Sequence, residues 1–288
     1  MEKKLRQMNM VPRTINLTAY LARIGYDGPS DLAPTPETLA RLQLCHATTI
    51  PFENIDVLLA RAMPLDIASL QQKLIVDKRG GYCFEQNTLL MHVLLALGYQ
   101  VTPRAARVLF AAGRGQSTPR THLWCEVQLP GSPAGESWAV DVGIGGLTPT
   151  APLRLGTTEA QPTPHDVRRI VPGEGPHTLS KFHQVLIDGI WRDVCEFTGE
   201  AMPEIDREVA HWWTSTNPAS KFRQNILAAL ATRDGGRHTL ATREYTHRLG
   251  STIVERFQIT SGEHLREVLA TRFSLAIPEG TTFGIDGL

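Results

Sequence analysis

Three side chains of this sequence have the types and the chain order needed for nucleophilic catalysis by a thiol: Cys83, His122 and Asp141. Cys83 follows a glycine pair and precedes a run with helical spacing. A thiol at a helix start faces unpaired backbone N–H groups and the positive end of the helix dipole. Both favour the thiolate, which is the nucleophilic form. An imidazole can keep the thiolate ionised, and a carboxylate can fix the tautomer of the ring. The three residues therefore predict a catalytic triad.

Two predicted strands bring the histidine and the aspartate together. Alternation over 121–129 puts His122 on one face of its strand, and Asp141 ends the next predicted strand, 137–142. If these strands pair as a hairpin, both residues lie at its open end, within side-chain reach. Taken singly, each residue also has an ordinary structural explanation, as a core or surface histidine, a turn-forming aspartate or a buried cysteine.

The elements that must position these residues change type along the chain. Residues 1 to about 100 are predicted to be helical, with helices capped at Thr35 and Asp66 and a third running from near Cys83 to Gly98. From about 100 to 200 apolar residues recur with a period of two, which predicts short strands and a small barrel or sandwich. The strands predicted there are 104–110, 121–129, 137–142, 166–171, 180–187 and 190–197, with a hairpin turn at Asp188-Gly189 between the last two.

The pattern after residue 200 is mixed. Strands are predicted within 237–258, around a turn at Gly250, and Ser261 can cap a final helix. A helical segment is predicted from the apolar residues Trp212, Trp213, Phe222, Ile226 and Leu227.

The composition excludes several classes of protein. The chain has 288 residues, and its 29 basic and 29 acidic residues give no formal net charge, which argues against a nucleic-acid or membrane-surface partner. No apolar run approaches the length of a bilayer span, and no signal core follows the N-terminus, so a cytoplasmic location is expected. The other cysteines are Cys45, Cys125 and Cys195. None forms a C-x-x-C pair, so no metal or redox site is expected and all three are interpreted as structural.

Four segments together resemble the motifs of the arylamine N-acetyltransferase family. They are 79–87 (RGGYCFEQN) around the cysteine, 51–54 (PFEN), 120–123 (RTHL) and 140–143 (VDVG), in the family's order. A weaker match, 215–222 (STNPASKF), extends the resemblance towards the C-terminus.

The resemblance implies an α+β fold in three parts. These are an N-terminal helical bundle in residues 1–100, a central β-barrel in 101–200 and a C-terminal α/β lid in 201–288. It implies a papain-like triad of Cys83, His122 and Asp141, with no metal. It also implies a two-step reaction in which acetyl-CoA acetylates Cys83. An arylamine, arylhydrazine or arylhydroxylamine then takes the acetyl group.

Other positions match the family less securely. Phe52 and Phe222 match aromatic residues that line the acceptor pocket, although plain core packing explains them equally well. Thr121 and Ser220 match positions near the acetyl or CoA site. In 141–145 (DVGIG) the family usually has phenylalanine where this chain has Ile144, so a pocket aromatic is replaced by a branched aliphatic residue.

Further interpretations remain open at the level of sequence. Arg79 resembles a residue that braces the active site, and its alternative is a surface ion pair. The loop Gly113-Arg114-Gly115 offers a cation for CoA phosphates, but a solvated loop is the simpler interpretation. The chain could also be an amide synthase of the same superfamily, using a larger acyl donor in natural-product assembly. From a different class, a papain-like thiol hydrolase would use water as the acceptor.

Overall fold

The computed structural model describes residues 14–110, 112–133 and 135–284. Its α-helices are α1 (Leu17–Ile24), α2 (Pro36–Ala47), α3 (Ile55–Leu58), α4 (Ile67–Gln71), α5 (Cys83–Ala96), α6 (Glu204–Thr216), α7 (Lys221–Gln224) and α8 (Gly262–Phe273). Its strands are β1 (Phe52–Glu53), β2 (Gln100–Val108), β3 (His122–Gln128), β4 (Trp138–Val140), β5 (Leu153–Arg154), β6 (Gln161–Pro162), β7 (Val167–Pro172), β8 (Lys181–Ile187), β9 (Ile190–Phe197), β10 (Leu227–Ala231), β11 (Gly236–Ala241), β12 (Glu244–Leu249) and β13 (Thr252–Gln258).

The predicted helix caps are present. The Thr35 side chain accepts the N–H of Thr38 at the start of α2, and Asp66 accepts two N–H groups at the start of α4. Ser261 caps α8 in the same way. These side chains satisfy N–H groups that a helix start otherwise leaves unpaired. One difference from the prediction is that the helix after Asp66 changes at Gln72 into a π-helical turn, Gln72–Val76.

The larger sheet has eight strands in the order β5-β4-β3-β2-β9-β8-β7-β6 and forms a nearly closed barrel. The Gln161 side chain links the two edge strands, because it accepts the N–H of Arg154 and donates to the Arg154 carbonyl. The predicted turn at Asp188 and Gly189 joins β8 to β9, with both residues in the left-handed region. The predicted pairing of the strands that carry His122 and lead to Asp141 is also present, since β3 pairs with β4 in antiparallel fashion.

The smaller sheet corrects two sequence expectations. Its order is β1-β10-β11-β12-β13, so the two-residue strand β1, within the region predicted to be helical, pairs with a strand from beyond residue 200. The predicted helical segment around Trp212 ends earlier than expected, because α7 stops at Gln224 and Leu227 begins β10. A short apolar run in a sequence does not distinguish a helix from a strand. Here the segment Leu227–Ala231 is a strand because it pairs with both β1 and β11.

Helix α5 lies in the interior and holds the nucleophile candidate rigidly. Leu89, Leu90, Val93 and Leu94 are fully buried in the largest core cluster, which also contains side chains of α1, α2 and α4. The first turn of α5 packs in a second cluster with β1 and the barrel. Because buried residues occupy nearly all of α5, its N-terminus is fixed between the helical region and the barrel. None of the helices in the described residues is long and apolar enough to span a lipid bilayer.

Candidate active site

Cys83 is the first residue of α5, and its side chain is buried, with 4% of the residue exposed. The helix start is closed by Glu85, whose carboxylate accepts the N–H of Tyr82 at 3.1 Å. The thiol lies 3.7 Å from the carbonyl oxygen of Thr121, the residue that precedes β3. The first turn of a helix carries free N–H groups and a partial positive charge, so this position favours an anion.

His122 and Asp141 form a buried pair beside the thiol. The distance between His122 Nε2 and Asp141 Oδ2 is 2.6 Å, and the two residues are 3% and 6% exposed. Burial by itself lowers the pKa of His122, but the charge and hydrogen bond of Asp141, together with Cys83, raise it to about 10. Burial raises the pKa of Asp141, yet His122, Asn87 and the Gly143 N–H together hold it below its usual value. Because Nε2 is bonded to Asp141, Nδ1 is the ring nitrogen left for proton exchange with Cys83.

The register of the hairpin explains why the pair meets. Cys125 is paired with Val140, so the same register places Trp124 opposite Asp141, with His122 two residues further along β3. Residues two apart share a face of a strand, and diagonal neighbours across a strand pair are within reach of side-chain contact. The end of β3 that carries His122 and the end of β4 that leads to Asp141 therefore lie together, as the sequence predicts.

Asn87 is a member of the site that sequence reasoning missed. Its Nδ2 donates to Asp141 Oδ1 at 2.9 Å and to the Leu123 carbonyl at 2.7 Å. Its Oδ1 accepts the N–H of Val142 at 3.0 Å. The Asn87 side chain thus links α5 to Asp141, to the loop that follows Asp141 and to β3. The spacing in the sequence could have identified Asn87, because it lies four residues after Cys83 and therefore on the same face of α5.

The loop after Asp141 approaches the nucleophile closely. The Gly143 N–H donates to Asp141 Oδ1 at 2.9 Å. A Cβ at Gly143 would lie 2.6 Å from the Cα of Cys83, and one at Gly80 would lie 2.2 Å from the carbonyl oxygen of Pro51. These contacts are shorter than any real Cβ makes, so both glycines are required by the packing around Cys83.

A buried charge network lies under the start of α5. Arg79 Nη2 is 2.7 Å from Glu53 and 3.3 Å from Asp56. Lys73, in the π-helical turn, lies 2.6 Å from both Asp56 and Glu85. Arg79 is therefore an internal ion-pair partner, and Lys73 connects the network to the carboxylate that caps α5.

The two predicted aromatic residues lie together beside the thiol. The rings of Phe52 and Phe222 are 6.1 Å apart in an edge-on arrangement, and Tyr82 is 5.4 Å from Phe222. Phe52 belongs to the same buried cluster as Cys83, with Phe222 partly buried against it. Asn54 fixes this arrangement, because its Nδ2 donates to the Phe222 carbonyl at 2.8 Å.

The remaining predicted residues have different surroundings. Ile144 is partly buried against the barrel cluster that contains Trp124. Thr121 faces Cys83 through its carbonyl group. Ser220 is 1% exposed, and its hydroxyl donates to the Thr214 carbonyl and accepts the Phe222 N–H. Its side chain therefore caps α7 within the protein.

The other candidate groups are engaged elsewhere. Arg114 binds both carboxylate oxygens of Asp193 and lies over the ring of Phe182, so its guanidinium is paired. Burial raises the pKa of Cys125 to about 12 and also raises that of Cys195, which keeps these thiols protonated. Among the described residues, no group of three or more His, Cys, Asp or Glu side chains could hold a metal ion.

Comparison with known proteins places this chain in the class of N-acetyltransferases, because the N-acetyltransferase family profile matches residues 35–281. The arylamine N-acetyltransferase of Mycobacterium tuberculosis is 41% identical over 270 residues, which are 92% of this chain and 91% of that protein. A Salmonella typhimurium relative, named as an arylamine N-acetyltransferase and N-hydroxyarylamine O-acetyltransferase, is 35% identical and covers 85% of this chain and 84% of its own. The structure of the Mycobacterium marinum arylamine N-acetyltransferase in complex with CoA superposes with a TM-score of 0.84 at 32% identity, over 93% of this chain and 96% of that one.

The chain belongs to the arylamine N-acetyltransferase family and is an acyltransferase.

Proposed function

We propose that this enzyme transfers an acetyl group from acetyl-CoA to an aromatic amine through a thioester on Cys83. In the first step the Cys83 thiolate attacks the acetyl carbonyl, the bond to the CoA sulfur breaks, and CoA leaves as the thiol after taking the proton of the His122 imidazolium. In the second step the amine nitrogen attacks the Cys83 thioester. His122 takes the proton released by the amine, and Cys83 leaves as the thiolate.

The observation that carries the proposal is the buried arrangement of Cys83 at a helix start beside the 2.6 Å pair of His122 and Asp141. The raised pKa of His122 favours the imidazolium form of this ring at neutral pH. Thioester exchange between two thiols is nearly balanced, so the first step needs no external source of energy. Backbone N–H groups of the first turn of α5 are suitable donors for the developing oxyanion.

The donor and the acceptors are supported by the relatives. The Mycobacterium marinum relative binds CoA, which supports acetyl-CoA as the donor here. The name of the Salmonella relative supports arylhydroxylamines as well as arylamines, and arylhydrazines share the same flat ring. The aromatic cluster of Phe52, Tyr82 and Phe222 offers such a ring edge-on contacts beside the thiol.

The proposed site lies where three parts of the chain meet. Helix α5 within 1–100 supplies Cys83, the barrel within 101–200 supplies His122 and Asp141, and the region 201–288 supplies Phe222. We therefore retain the three-part architecture, with the third part as a lid over the thiol, as part of the proposal. Thr121 and Ser220 are retained only as residues close to this meeting point.

Intact-mass measurement after mixing with acetyl-CoA tests the proposal. We expect one acetyl group per chain, absent from Cys83→Ser and retained in the matched control Cys45→Ser, and removed on addition of an aromatic amine. An acetyl group that persists on Cys83→Ser would refute the assignment of the nucleophile. Loss of the acetyl group to water without any amine would identify a hydrolase. Failure to react with acetyl-CoA, but reaction with a larger acyl thioester, would identify an amide synthase.

A further inference from the structure

A small cavity lies inside the barrel, directly behind the triad carboxylate. Its volume is about 20 Å³, which is room for one water molecule. Asp141 lines it, together with Trp124, His183, Cys195 and otherwise apolar side chains. The cavity is therefore on the side of Asp141 that faces the barrel interior.

Two of the side chains that line this cavity, Trp124 and His183, carry a buried N–H donor without a good acceptor in the part of the chain that the structure describes. The indole Nε1 of Trp124 is buried and has no hydrogen-bond partner among the described residues. His183 Nε2 accepts from Arg168 at 3.0 Å, so the proton of the neutral ring is on Nδ1. Within the described ranges the partner of Nδ1 is the Cys195 sulfur at 3.9 Å. Burial and the Arg168 charge lower the pKa of His183 to about 3, which keeps this ring neutral. An unpaired buried N–H group costs about 1–3 kcal/mol, so such groups normally have a water partner.

The same cavity is lined by Asp141, whose carboxylate can accept a further hydrogen bond. Asp141 Oδ1 already accepts from Asn87 and from the Gly143 N–H, whereas the one bond to Oδ2 from the described residues is that of His122. An ionised carboxylate has about four acceptor positions, which leaves one on Oδ2. The raised pKa of Cys195 keeps its thiol protonated, whereas the lowered pKa of Asp141 keeps its carboxyl group ionised. The charge at the cavity is therefore that of Asp141.

We propose that the cavity binds one water molecule that accepts the N–H of Trp124 and donates to Asp141, which makes Trp124 a positioning residue for the triad. The water also accepts from His183, so it has three polar partners, the usual number for a buried water. It adds a further donor to a carboxylate that must stay ionised and correctly oriented while His122 exchanges protons. This inference rests on the proposed function, because it assigns Trp124 a part in that reaction.

A high-resolution crystal structure of the native protein gives the first test. We expect one ordered water about 3 Å from both Trp124 Nε1 and an Asp141 carboxylate oxygen. An empty cavity, or a Trp124 N–H bonded directly to a protein acceptor, would overturn the inference. This measurement needs no acyl donor, so its outcome is independent of whether Cys83 accepts an acetyl group from acetyl-CoA.

The second test compares Trp124→Phe with the matched control Trp138→Phe. Trp138 is also a buried barrel tryptophan, but its side chain belongs to the core around α5 and does not line the cavity. We expect Trp124→Phe to slow acetylation of Cys83 about tenfold with an unchanged KM for acetyl-CoA. That factor equals about 1.4 kcal/mol, at the upper end of what one hydrogen bond between neutral groups contributes.

A spectroscopic readout separates positioning from a general structural defect. The proton between His122 Nε2 and Asp141 gives a low-field proton NMR signal, and a carboxylate that loses a competing donor binds this proton more strongly. We expect Trp124→Phe to move the signal further downfield, whereas Trp138→Phe leaves both the signal and the acetylation rate unchanged. An unmoved signal with an unchanged rate, or equal effects of the two variants, would refute the role of Trp124. If Trp124→Phe does not fold, the native crystal structure still decides whether the water is present.

Discussion

Asp141→Asn is the most informative substitution, because the hydrogen bonds around the carboxylate dictate which way the new amide must point. Oδ1 of Asp141 accepts two N–H groups, from Asn87 and from Gly143, both at 2.9 Å. An asparagine that turned its NH₂ group towards them would set donor against donor twice. The amide oxygen must therefore stay at that position, and the NH₂ group must face His122.

This orientation forces the wrong tautomer on His122. An NH₂ group facing Nε2 requires that nitrogen to accept, so the ring proton moves to Nδ1, the nitrogen that must take the proton of Cys83. The pKa of His122 also falls, because burial lowers it and the opposing charge of Asp141 is gone. We expect acetyl transfer to fall by roughly 10⁴-fold, about 5.5 kcal/mol of transition-state stabilisation, as in serine triads.

Two measurements check this result. The rate of Cys83 acetylation gives the loss directly, and the rate of iodoacetamide alkylation at pH 7 reports the thiolate, which should decrease. The control is Asp193→Asn, an equivalent change at a barrel residue that pairs with Arg114, and it should retain full activity. Thermal unfolding of both variants verifies that the fold is kept. Unchanged alkylation and turnover in Asp141→Asn would remove Asp141 from the triad.

Three further substitutions test other parts of the site. Cys83→Ser should abolish transfer almost completely, because a serine hydroxyl stays protonated beside His122; substantial remaining activity, measured by acetylation of an arylamine, would refute the nucleophile. Gly143→Ala should lower activity at least tenfold and destabilise the fold by about 1–3 kcal/mol, because its Cβ meets the Cα of Cys83 at 2.6 Å. The control Gly156→Ala, whose Cβ has only a contact at 4.0 Å, should change neither activity nor denaturant unfolding, and equal effects of the two variants would contradict the argument. Ile144→Phe should raise kcat/KM for small arylamines by up to about tenfold and leave acetylation of Cys83 nearly unchanged, which separate measurement of the two half-reactions checks. Slower acetylation would instead place Ile144 in support of the triad, consistent with its packing against Trp124.

The sequence was sufficient to predict the parts of the site that depend on local structure. The glycine pair and the following helical period located Cys83 at a helix start, and alternation in two neighbouring strands located His122 and Asp141 at one hairpin end. The caps at Thr35 and Asp66 were predictable for the same reason, since each depends on a few consecutive residues. The cytoplasmic location stays a prediction.

Contacts between distant segments could not be predicted in this way. The strand at Phe52 pairs with β10, which lies more than 170 residues later in the chain. Asn87 is recognisable as a support for Asp141 only once α5 lies against the hairpin, and the amphipathic pattern of a helix does not specify which strand it will meet. The side of the barrel on which Ile144 packs was likewise decided by tertiary structure.

The reason for this division is physical. Helix starts, strand alternation and tight turns are decided by sterics and hydrogen bonds within a few residues, so the types and spacing of residues determine them. Buried polar groups such as Asn87 and Lys73 acquire their roles from partners that folding brings together, and each must find its hydrogen bonds there. The sequence by itself thus determined which residues could do the chemistry, whereas the tertiary structure decided which groups hold them in place.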